Sequence, residues 1–232
     1  MTRKFSIVAD MQVFAKVISV IFHPLLVLTY MLVLFLLVNP YIFGVHNIAE
    51  PFGMQLVLRV FLSSFFIPMV AVLMLRFTGL VQSLEMPDRQ ERIIPYIVTG
   101  IFYLWLFRNL VDNTTIPRLF TSFALGTTIA LFLAFFINLF SKISAHAVGM
   151  GGIIGMLVLL MSYFPDYNAI TIPVQGDQVL EISTTALLLF VLVLAGLVGT
   201  SRLSLKAHEP MDLYGGYFIG FVGQMIALRF IM

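Results

Sequence analysis

Long apolar runs alternate with short polar stretches along the whole chain. A membrane span needs about 20 apolar residues. Seven segments read as spans: residues 17–38, 56–80, 94–110, 117–140, 147–164, 182–203 and 211–232. The pattern predicts an all-α, polytopic transmembrane helix bundle. Asn39-Pro40 closes the first segment, and Pro117 falls at the first turn of the fourth. His23-Pro24 interrupts the first segment and is read as structural, packing or bonding a carbonyl that the proline frees. Gly151 and Gly155, and again Gly216 and Gly220, are four apart, which predicts close helix packing.

Composition narrows the class. Of 232 residues, 60% are hydrophobic and 10% charged, and the mean hydropathy is +1.04. Soluble domains are about 45–50% apolar. The chain is expected to be one integral membrane domain, since no polar stretch is long enough to fold alone. Its net charge of +2 comes with no basic stripe, so nucleic acid is not an expected partner. There are no cysteines, which excludes disulfides and thiolate chemistry.

The few charges cluster. The first group is Glu85 to Pro95, with Arg89 and Arg92 three apart and expected on one helix face. The second is Ser141 to Ala147, and the third Ser201 to Asp212. They follow the second, fourth and sixth spans. An even number of crossings separates them, so all three open on the same face. Together they offer Arg89, Arg92, Lys142, Ser144, His146, Arg202, His208 and Asp212. Ionisable groups are costly near lipid, so a convergent set points to a site.

The residue types suit cleavage of a phosphate ester without a metal or cofactor. Cationic side chains hold phosphoryl oxygens and stabilise the charge of the transition state. His208 is the candidate nucleophile. Asp212, four residues on, fixes its tautomer, and His146 is the candidate general acid. A membrane-edge site in a chain with no soluble domain favours a lipid substrate.

These residues resemble the type 2 phosphatidic acid phosphatases, the lipid phosphate phosphatases related to vanadium haloperoxidases. Ser201, Arg202, His208 and Asp212 match that family's third motif at every fixed position. Ser141, Ser144, His146 and Ala147 agree with the second, with Ile143 for its Pro and Ala145 for its Gly. The first motif departs more. Glu85 stands where a Lys would be, and two residues separate Arg92 from Pro95. The charge of the missing Lys is expected from Arg89 or Lys142.

The resemblance implies His208 as nucleophile, Asp212 as its partner and His146 as general acid. It carries Arg202, Ser144 and Arg92 over as phosphate contacts. It also implies a six-helix phosphatase core, about residues 56–232, plus one extra span. The expected function is hydrolysis of a lipid phosphate or prenyl (di)phosphate through a phosphohistidine. The alternatives are a lipid phosphotransferase on the same site, or a non-catalytic protein that binds an anion or lipid. The expected location is a bacterial inner (cell) membrane. Positive charge does not assign the side of the site: without the proposed phosphate ligands and their neighbours, four basic residues stand on each face.

Overall fold

The structure is a computed structural model that describes residues 2–164, 169–173 and 179–231. Nine α-helices follow in order among the described residues. They are α1 (Thr2–Ile21), α2 (Val27–Val38), α3 (Pro51–Phe61), α4 (Ile67–Phe77), α5 (Ile93–Val111), α6 (Arg118–Asn138), α7 (Ala145–Tyr163), α8 (Thr184–Ser204) and α9 (Pro210–Ile231). Strands β1 (Ala169–Pro173) and β2 (Val179–Ser183) form an antiparallel ladder between α7 and α8. Asp166 and Asp177 of that connection lie outside the described residues.

Six segments are long and apolar enough to cross a membrane: Met11–Val38, Pro51–Phe77, Gln90–Val111, Arg118–Asn138, Ala145–Tyr163 and Thr184–Ser204. The chain is therefore a multi-pass membrane protein. The seventh expected span is α9. Its 22 residues reach about 33 Å, enough to cross a bilayer. It is not among the six apolar segments, because Asp212, Gln224, Arg229 and its glycines lower its apolar content. It packs inside the bundle instead, against α7 and α6.

The α7–α9 contact is the tightest in the fold. A Cβ at Gly151 would run into the Tyr217 carbonyl, and one at Gly220 into the Val148 carbonyl. A Cβ at Gly216 would lie 2.8 Å from the Ser144 carbonyl. The two glycine pairs thus let backbone meet backbone. Both helices begin at the same end of the bundle. The contact therefore brings the start of α7 beside the start of α9, where Ser144 N–H donates to the Asp212 carbonyl at 3.2 Å.

Prolines break the N-terminal half. Pro68 has no N–H, and the helix widens into a π-turn over Leu62–Phe66 just before it. Pro24 acts on the first span. A residue before proline is driven out of the helical region, and His23 is extended at φ −63° and ψ 133°. The helix stops at Ile21, a short 3-10 turn covers Pro24–Leu26, and α2 follows.

Candidate active site

Three chain segments meet where α7 and α9 begin. His208 lies in the short link between α8 and α9 and is buried, only 8% exposed. Its Nδ1–H donates to Asp212 Oδ2 at 3.1 Å. The same carboxylate oxygen accepts the Glu209 N–H at 3.2 Å, as an acid in the first turn of a helix is placed to do. Burial pushes the His208 pKa down to about 4; the Asp212 hydrogen bond opposes this, while Arg92 and Arg202 add to it. At neutral pH the ring is therefore uncharged. The contact with Asp212 is then a hydrogen bond to a carboxylate, not an ion pair. It leaves the lone pair on Nε2.

The turn that holds this link is strained. Leu205, Lys206 and Ala207 N–H close onto Ser201, Leu203 and Arg202 carbonyls. This is a glycine-type helix ending, yet Lys206 occupies its left-handed position at φ +53°. Arg202 sits in the last turn of α8. Its guanidinium makes no hydrogen bond to protein among the described residues, and its Nε is buried without a partner. A half-buried cation that the described residues leave unsatisfied fits an anionic ligand.

A cavity of about 760 Å³ opens beside these groups. Its lining includes Arg92, Lys142, His146, Arg202, Lys206 and His208, with Lys16 and His23 from the first span. It follows α5 through Pro95, Tyr96, Thr99 and Tyr103, and meets Ala130, Leu131 and Ala134 of α6. From Arg92 to Tyr103 is about 16 Å along a helix axis. One acid, Glu85, also faces the cavity.

Five of the eight residues singled out in the sequence line this one cavity: Arg92, Lys142, His146, Arg202 and His208. Asp212 stands behind His208. Ser144 does not line the cavity. It is fully buried, and its hydroxyl caps α7 by accepting the Ala147 N–H at 3.4 Å. Arg89 is directed elsewhere. It donates to the Leu139 and Phe140 carbonyls at the end of α6, and its own carbonyl accepts from Asn138 Nδ2 at 2.8 Å. Arg89 and Arg92 do not converge on one anion: Arg89 caps the 3-10 turn Gln90–Arg92 and is spent on the end of α6. Arg92 turns inward. Its Nε donates to the Met86 carbonyl at 2.9 Å and one terminal nitrogen to Ile143 at 3.2 Å. It therefore ties the first and second polar clusters together as well as facing the cavity. Lys142, at the mouth, has its pKa lowered by desolvation and by Arg92.

The first span contributes what the sequence did not announce. With His23 out of the helix, no N–H closes onto the Ser19 carbonyl. His146 Nε2–H donates to that carbonyl at 3.0 Å. His146 Nδ1 is left as the nitrogen with no protein partner among the described residues. The His23 ring stands edge-on to His146, with centroids 5.9 Å apart. His23-Pro24 was the available signal, since a freed carbonyl must find a donor; that the donor is His146 depends on tertiary packing.

No curated protein and no solved structure matches the chain. The family comparison matches residues 119–232 to the PAP2 superfamily. The matched part holds His146, Arg202, His208 and Asp212, the buried pair and the unpartnered arginine of the site. With that match covering the groups just described, residues 119–232 of the chain belong to the PAP2 superfamily.

Proposed function

We propose that this membrane phosphatase hydrolyses a lipid phosphate or prenyl (di)phosphate through a phosphohistidine on His208, without a metal. Membership of the superfamily supports phosphatase chemistry in general. The observation that carries the finer reading is His208, neutral and aligned by Asp212, in one cavity with the unpartnered Arg202 and with His146. An apolar path of about 16 Å leads from those cations along α5, which suits an ester whose alcohol is a hydrocarbon chain.

In the first step, His208 Nε2 attacks phosphorus. The N–P bond forms as the P–O bond to the alcohol breaks. Arg202, Arg92 and Lys142 hold the phosphoryl oxygens as charge builds. Asp212 stabilises the ring as it becomes cationic. His146 takes up a proton on Nδ1 as the anionic phosphoryl group binds beside it and gives that proton to the departing oxygen, since its Nε2–H is held by Ser19. In the second step water attacks phosphorus and passes a proton to His146 Nδ1. The N–P bond breaks, phosphate leaves, and His208 regains its lone pair.

Purified protein in detergent, given phosphatidate or a prenyl diphosphate, should release phosphate in the presence of a chelator. His208→Ala should lower that rate by about 10⁴-fold or more. An alkaline quench should trap label on a histidine in the wild type and none in the variant. Release that is unchanged in His208→Ala would sink the reading.

A further inference from the structure

The break in the first span brings a third histidine into the cavity, from outside the matched residues 119–232. We propose that His23 is a substrate contact, whose Nε2–H donates to an oxygen of the phosphoryl group bound in the cavity. That the anion is a phosphoryl group rests on the phosphatase reading; that His23 offers a donor there does not.

The tautomer follows from the backbone. His23 caps the short Pro24–Leu26 turn, and its Nδ1 accepts the Leu25 N–H at 3.3 Å. A neutral ring with Nδ1 accepting carries its proton on Nε2. No protein group accepts that proton among the described residues, and the ring lines the cavity. Its orientation is fixed from two sides. Phe65, placed by the π-turn, and His146 both pack edge-on to it, each with centroids 5.9 Å away. The result is a pre-oriented donor that adds no charge to a lining already rich in cations.

Capping alone explains only half of the side chain. An asparagine caps a helical turn as well as any residue, and its oxygen overlies Nδ1. It has nothing at the position of Nε2. A glutamine places an amide N–H near Nε2 and loses the cap. The two substitutions therefore separate the two roles.

Orthovanadate binding to full-length protein in detergent is the measurement, with turnover of phosphatidate beside it. In H23N, vanadate affinity and kcat/KM should both fall about 10- to 100-fold, the size expected for one hydrogen bond to a charged group. H23Q should stay within about threefold of wild type. An H23N protein that binds vanadate as tightly as wild type overturns the proposal, whatever H23Q does. Vanadate binding does not depend on turnover. If wild type and His208→Ala release phosphate alike, the phosphatase reading fails, while the vanadate comparison still decides the role of His23.

Discussion

The two halves of the chain build their sides of the cavity by opposite means. In the C-terminal half, α7 and α9 touch through glycines and the functional groups sit at helix ends. About 61% of the apolar window of α7 and 56% of that of α6 is buried inside the bundle, while α8, at 28%, packs at its edge. In the N-terminal half the windows are 33–39% buried, and its contributions come from interruptions. The extended His23 and the 3-10 turn ending at Arg92 each supply a lining group, and the π-turn places Phe65 edge-on against His23. The regular half holds the reacting pair. The broken half supplies freed carbonyls and side chains that orient and enclose it.

If this division is right, damage to the regular half should cost most. Asp212→Asn should lower kcat by about 10²–10⁴-fold, because the ring loses its tautomer lock and its counter-charge. The pH profile should sharpen the point. In the wild type, activity should fall on the acid side near pH 4, as His208 takes up a proton on Nε2 and loses its lone pair. Asp212 raises that pKa against burial, so in the variant the acid limb should move to lower pH. A limb that stays in place, or moves up, would mean that another group sets it.

Gly220→Ala should come next. Its Cβ would meet the Val148 carbonyl, and separating α7 from α9 should cost about 1–3 kcal/mol in thermal or denaturant unfolding, with a matching loss of turnover. Gly196→Ala on α8, where a Cβ meets nothing within 4 Å, is the control and should leave both unchanged or stability slightly raised. Equal behaviour of the two variants would break the claim that helix contact sets the site.

The smallest effect is expected in the broken half. Pro24→Ala restores an N–H and lets the helix run on through His23. The Ser19 carbonyl then gains an intrahelical donor and releases His146. Turnover should fall about 10-fold with folding stability kept or raised. Full activity in this variant would show that the His146–Ser19 bond has no part in orienting the acid.

Much of this was legible in the chain. Hydropathy located the membrane segments, and counting crossings put the three polar clusters on one face. Glycine spacing foretold the α7–α9 contact, and Asp212, four residues past His208, does reach its ring. What escaped shares one cause: periodicity tells how much of a residue is buried, not which atom it meets. Arg89 and Arg92 look like neighbours with one target, yet carbonyls at the end of α6 take the first while Met86 and Ile143 take the second. Ser144 is drawn to capping because its oxygen lies within reach of a free N–H at the helix start. Lys16 precedes the first apolar run and His23, which interrupts it, reads as structural; their position at the cavity depends on how the span bends back against α7.

Membranes differ in thickness, and helices answer by tilting. With backbone pressed to backbone, α7 and α9 have no side chains between them to slide, so they must lean as one body. The spacing of His146, in α7, and His208, held by Asp212 of α9, is thereby insulated from the lipid. The first helix has no such clamp where it joins α2. Bilayer thickness would therefore be felt first at the carbonyl of Ser19, as a change in how firmly the acid is held.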